Sequence, residues 1–146
     1  KLSTKKAVYK VIKSGDSSGK FGAGSYVTPR KKTISAVTIP TTIKVGNITY
    51  KVVAIESKAF MNCKKLKKVT IGKNVAKIGK KAFYKCKKLK TVIIKTKKLT
   101  AKKVGSKAFS KINSKAKIKV PKSKYKSYKK WLKKKGVGTK VKIRKM

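Results

Sequence analysis

Apolar residues in the middle of this chain recur at a long, fixed interval. Ile55, Ala59, Phe60, Cys63, Leu66, Val69 and Ile71 are answered 23 residues later by Ile78, Ala82, Phe83, Cys86, Leu89, Val92 and Ile94. A third copy follows at an offset of 26, with Val104, Ala108, Phe109, Ile112, Ile118 and Val120; its three extra residues fall in "TKKLTAKKVGS". A partial fourth copy precedes them, since "VTIP" at 37–40 resembles "VTIG" at 69–72. One such unit cannot bury its own apolar side chains, so successive units must stack into a continuous core. Within the units, "KKVTI" and "KTVII" alternate with the period of two that marks a short strand. Val69, Ile71, Val92 and Ile94 then face inward. Ala59-Phe60 and Ala82-Phe83 fall on the opposite side of the coil, where a short helical turn is expected.

The flanks follow other rhythms. "KKAVYKVIKSG" alternates apolar and basic residues through Ala7, Tyr9 and Val11, as a strand does. "DSSGKFGAGS" reads as a loop and "SYVTP" as a returning strand. "TIKVGNITYKVVAI" predicts a hairpin about Gly46-Asn47, with Gly at the first central position of a type II′ turn. At the other end Pro121 closes the last repeat strand. A helix is expected over 123–135, with Gly136 ending it and Tyr125, Tyr128, Trp131 and Leu132 forming its apolar stripe. That one-sided spacing makes the stripe core packing rather than a stacking surface for nucleic acid or a membrane-surface face. "VKIRK" is a final strand. The expected fold is a β-rich α+β solenoid, one folded unit of about three repeats. Residues 1–54 form its β-rich, hairpin-containing N-terminal cap, 55–121 the repeats, and 122–146 a C-terminal cap of helix and strand.

Charge changes the picture more than any other property. Lys and Arg number 46 against 2 Asp plus Glu, there is no His, and the net charge is +44. The arginines are Arg30 and Arg144, and the acids are Asp16 and Glu56. Most lysines must therefore be solvated or matched by anions from outside the chain, which favours polyanionic partners. Lysine acts as a point charge, whereas arginine grips a phosphate or carboxylate bidentately; the bias points to diffuse attraction. The same inventory excludes most catalysis. Without His there is no ordinary general base or base-activated cysteine, two distant acids make no paired-carboxylate site, and the ligands for a metal are too few. No cofactor is expected.

Cys63 and Cys86 occupy equivalent positions on adjacent units, so their Cα atoms are expected about 5 Å apart. Stacked side chains point the same way, which suits two small buried hydrophobes better than a disulfide. "NIT" at 47–49 matches a glycosylation acceptor, but the hairpin turn already explains Asn47. No apolar run approaches twenty residues, so no transmembrane helix is expected. With no leader and no initiator Met, the expectation is a chain that lacks its signal peptide or was cut from a longer protein, with further domains upstream.

The repeat "I.S.AF.NC..L..V.I" over Ile55–Pro121 resembles the BspA-like class of leucine-rich repeats, and the lysine-saturated version is similar to C-terminal domains of secreted proteins of Gram-positive gut anaerobes. The resemblance implies an extracellular or cell-surface setting. The structural core is then Phe60, Cys63, Leu66, Val69, Ile71, Phe83, Cys86, Leu89, Val92, Ile94, Phe109, Ile118 and Val120. The exposed sheet face shows Thr38, Lys68, Thr70, Thr91, Ile93, Lys117 and Lys119, and the connecting turns stack Lys64, Lys65 and Lys67 beside Lys87, Lys88 and Lys90. The leading reading is an attachment module whose lysines (64, 65, 67, 68, 87, 88, 90, 117 and 119) hold an anionic cell-wall polymer such as teichoic acid, or an acidic glycan. One alternative is non-specific nucleic-acid binding through phosphates. The other is a protein–protein adhesion module.

Overall fold

The 23-residue interval closes into a coil with three hydrogen-bonded sides. A computed structural model describes residues 2–15 and 21–146. In chain order it contains β1 (Leu2–Ser3), β2 (Ala7–Lys13), β3 (Gly22–Pro29), β4 (Ala36–Ile39), β5 (Thr42–Val45), β6 (Ile48–Ile55) and β7 (Lys68–Ile71). Then come β8 (Lys77–Ile78), β9 (Thr91–Ile94), β10 (Lys117–Val120), α1 (Tyr125–Lys134) and β11 (Lys142–Lys145), with short 3-10 turns at Ala101–Lys103 and Lys122–Lys124.

The first side is a parallel sheet in the order β4, β7, β9, β10, β11. Its register follows the sequence offsets: Val37, Val69, Val92, Ile118 and Ile143 form one inward row. Residues two apart along a strand share a face, so Ile39, Ile71, Ile94 and Val120 form the next inward row. The second side pairs β6 with β8 in parallel and continues through a bridge between Ile78 and Val104. Here the coils touch backbone to backbone. A Cβ on Gly79 would collide with Ser57, and one on Gly105 with Lys80.

The third side corrects the expectation of a helical turn at Ala59-Phe60 and Ala82-Phe83. Consecutive tight turns stand there instead, flanked by left-handed residues at Lys58, Lys81 and Lys107 (φ 61°, 56° and 57°) and at Asn62, Lys85 and Lys111 (φ 62°, 61° and 62°). A helix would bond its amides within one segment. These turns send alternate amides to the next coil: Phe60 N–H donates to the Ala82 carbonyl (2.7 Å) and Phe83 N–H to Ala108 (2.8 Å).

Inside, one aromatic column runs from the N-terminal region through three coils. Tyr9 meets Tyr26 edge-on at 5.3 Å between centroids; Tyr26, Phe60, Phe83 and Phe109 then stack at 5.0, 5.1 and 5.2 Å. Pairs of this kind add about 0.5–1.5 kcal/mol each beyond burial of their area. Every core residue named from the sequence is completely buried. Cys63 and Cys86 are free thiols among them, and the Cys86 Sγ donates to the Phe60 carbonyl at 3.0 Å. Burial pushes both thiols up, Cys86 to about 12.

The N-terminal sheet runs β1-β2-β3-β6-β5, with β2 antiparallel and β6 parallel to β3. Gly22 to Ser25, read from the sequence as loop, belong to β3. Glycine is required at position 22 because a Cβ there would fall 2.6 Å from the Tyr50 ring. Within that sequence loop, 16–20 lie outside the described residues. The expected hairpin is present: β5 and β6 join through Gly46-Asn47, with Gly46 at φ 62°. At the other end α1 buries Tyr128, Trp131 and Leu132, and Gly136 follows it at φ 100°. The Tyr128 hydroxyl donates to the Thr96 carbonyl (2.8 Å) and accepts the Leu99 N–H (3.2 Å), fastening the helix to the inserted segment of the third repeat.

Candidate anion-binding surface

Alternation decides what the parallel sheet shows outside. The outward rows are Ala36, Lys68, Thr91, Lys117 and Lys142, then Thr38, Thr70, Ile93, Lys119 and Arg144. Adjacent strands lie about 4.8 Å apart and alternate residues on one strand about 6.6 Å apart. Lys117, Lys119, Lys142 and Arg144 therefore make a two-by-two grid of exposed cations on β10 and β11. The rest of the face carries one cation, Lys68.

The connecting turns feed into this grid. Lys64, Lys65, Lys67, Lys87, Lys88 and Lys90 are all exposed. The Lys90 N–H donates to the Lys67 carbonyl (3.0 Å), the Lys117 N–H to Lys90 (2.8 Å) and the Lys142 N–H to Ala116 (3.0 Å). Lysine thus follows lysine across three coils along the edge where the sheet strands begin, and Lys142 pairs with Lys117 in register on the fourth strand. Lys67, Lys88 and Lys90, with Asn113, line an open hollow of about 380 Å³ on that edge. At the far strand ends Lys73, Lys95, Lys97 and Lys122 line another, of about 730 Å³.

The described residues offer these groups little internal neutralisation. Among the described residues Glu56 is the acidic side chain, and its carboxylate accepts the buried Ser25 hydroxyl at 2.7 Å. The described residues contain no cluster of three or more His, Cys, Asp or Glu suited to a metal ion, and no helix long and apolar enough to cross a membrane.

The sequence reading did not name Lys142 and Arg144 as site residues. A signal existed: "KIR" at 142–144 repeats the basic-apolar-basic pattern of "KIK" at 117–119, but its spacing falls outside the 23- and 26-residue offsets.

The profile of the BspA type leucine rich repeat region matches residues 31–143, in six copies. The chain belongs to the BspA-type leucine-rich-repeat family. Among solved structures it is similar to a leucine rich cell surface protein from Faecalibacterium prausnitzii, at 27% identity and a TM-score of 0.56, covering 75% of this chain and 28% of that one. A leucine-rich repeat protein from Bacteroides ovatus shares 20% identity at a TM-score of 0.56, over 80% of this chain and 36% of that one. A leucine rich repeat protein of T. pallidum shares 17% identity at 0.53, over 82% and 71%. The last two likenesses bear on the fold alone. The chain spans about a third of the first two proteins' length. A comparison with curated proteins returns no match. The Faecalibacterium protein is described as a cell surface protein.

Proposed function

We propose that this BspA-type repeat array is a non-catalytic, extracellular attachment module that holds an anionic polymer on its basic strand edge. The observation that carries the reading is the basic edge on which Lys67, Lys90 and Lys117 are bonded coil to coil and Lys142 stands beside Lys117 on the next strand, flanked by Lys68, Lys119 and Arg144. A folded chain gains nothing from rooting like-charged side chains on backbones about 4.8 Å apart unless something outside offsets their repulsion. In a Gram-positive surface setting, wall teichoic acid supplies a regular row of phosphates, and acidic glycans supply carboxylates and sulfates. Lys64, Lys65, Lys87 and Lys88 extend the same edge outward. Residues 1–54 and 122–146 serve as caps that close the ends of the array over 55–121, and the module works as part of a larger surface protein.

Binding of this kind releases counterions, so affinity falls steeply as salt rises. Titration of the chain with purified teichoic acid between low salt and 1 M, where the Debye length shrinks to about 3 Å, tests the reading. Loss of binding at high salt is expected; retention overturns it. Competition with DNA separates the polymers: equal displacement by DNA of any sequence would mean that phosphate alone is read.

A further inference from the structure

The side of the coil formed by the stacked turns carries a second cluster that the strand-edge reading does not use. The residue after each core phenylalanine is Met61, Tyr84 and Ser110 in successive coils. The Asn62 N–H donates to the Tyr84 carbonyl (2.9 Å) and the Lys85 N–H to Ser110 (3.0 Å), so these positions stack with Tyr84 in the middle. Phe83 is buried, whereas Tyr84 is half-buried. Over it the Lys81, Lys85 and Lys111 ammonium groups lie 5.2, 5.5 and 5.7 Å from the ring centroid, at the ends of flexible side chains. The placement is built into the backbone. All three lysines sit at the left-handed positions that flank the turn in each coil.

An aromatic ring attracts a cation over its face, but a single phenol cannot neutralise three. Desolvation pushes the Tyr84 phenol up; the charges of Lys111, Lys85 and Lys107 and a hydrogen bond from Lys111 together outweigh it and hold the phenol below its ordinary value. The described acid, Glu56, is engaged with Ser25. What remains is an apolar ring with a polar tip under three flexible ammonium groups, which an anion would draw from the ring face to its own rim. A sugar ring offers the complement: an apolar C–H face and, when acidic, a sulfate or carboxylate at its rim. A phosphate polymer without rings would engage only the ammonium groups.

We propose that Tyr84, with Lys81, Lys85 and Lys111, forms a subsite for an anionic sugar ring, on a different side of the coil from the basic strand edge. It rests on the acidic-glycan branch of the attachment reading, and it would let one module hold two polymer chains.

Calorimetric titration of the full chain at fixed ionic strength tests this, using sulfated dextran oligosaccharides, oligoglucuronate and linear polyphosphate. Tyr84→Ala should weaken binding of one or both saccharides by roughly tenfold, the scale of one aromatic stacking contact, and leave polyphosphate within about twofold. Whichever saccharide suffers identifies the acid group. Tyr84→Phe should keep the saccharide affinity, and the triple change K81Q/K85Q/K111Q should weaken all three probes. The proposal is overturned if Tyr84→Ala leaves both saccharides unchanged, or weakens polyphosphate equally. If the unaltered chain binds no probe at low salt, both this proposal and the attachment reading fail. Met61 and Ser110 at the equivalent positions show that the coil accepts other side chains there, and an unchanged melting temperature would confirm it.

Discussion

The exposed face of the parallel sheet has two unlike halves on a common floor. On β4, β7 and β9 it shows Ala36, Thr38, Lys68, Thr70, Thr91 and Ile93; on β10 and β11 it shows Lys117, Lys119, Lys142 and Arg144. Beneath both lies the same layer of buried Val and Ile. Alternation along a strand lets core and surface be written independently, on odd and even residues. If the lysines served solubility alone, the near-neutral half would have no reason to differ. The contrast suggests that charge is placed, with the strand edge and the end of the sheet as its destination.

The largest expected effect removes the floor that both halves share. Phe83 is stacked between Phe60 and Phe109 and is completely buried. Phe83→Ala should cost about 3–5 kcal/mol in urea unfolding. Both halves should be lost in one transition, because stacked repeats are stabilised chiefly through their neighbours. Two resolved transitions would mean that the halves fold separately.

The next effect falls on one half only. The fourfold change K117Q/K119Q/K142Q/R144Q should cut the slope of log affinity against log salt for a polyanion by about 3, since each lost contact removes roughly 0.7–0.9. Thr70→Ala with Thr91→Ala, on the near-neutral half, should leave that slope unchanged. If the two sets behave alike, the polarity of the face does not matter for binding. A salt-tolerant protein partner lost with the threonines would favour adhesion through the near-neutral half.

How far the sequence foretold this arrangement depends on periodicity. Phe60, Phe83 and Phe109 repeat, and their column was legible; Tyr9 and Tyr26 extend it without sharing the period, so nothing in the spacing marked them. Gly22 to Ser25 looked like loop because glycine usually punctuates chains, yet here it makes room for Tyr50. The left-handed lysines were invisible, since lysine is not a residue that advertises that conformation. The sheet-face residues from β4 to β10 were legible from alternation. Lys142 and Arg144 were not, because α1 interrupts the repeat before their strand rejoins the sheet.

A third, pH-gated effect distinguishes the coils beneath the face. The first two contribute Cys63 and Cys86 to the core, and the third has Ile112 at that place. Burial holds the Cys86 thiol up at about 12, from an ordinary value of 9.0. Below about 9 it is protonated both folded and unfolded. As pH rises from there toward 12 the unfolded chain releases the proton first, so stability falls. Cys86→Ala should show a shallower alkaline loss when urea midpoints are compared across that window. Native alkylation should be negligible at pH 8, with reaction appearing only on unfolding.

The smallest effect compares one position in three coils. Asn62, Lys85 and Lys111 share a left-handed backbone, at φ 62°, 61° and 62°. Asn tolerates that region better than Lys, because its short polar side chain bonds locally. Lys85→Asn should therefore stabilise the chain by roughly 0.5 kcal/mol, a fraction of the usual left-handed penalty, read as a higher urea midpoint. The same change removes one of the three ammonium groups over Tyr84. If it raises stability and weakens the sulfated oligosaccharide, the lysine is kept at the expense of the backbone for what it does outside. If stability falls, the lysine contributes to folding through its contact with the ring, and the cluster needs no ligand to explain it.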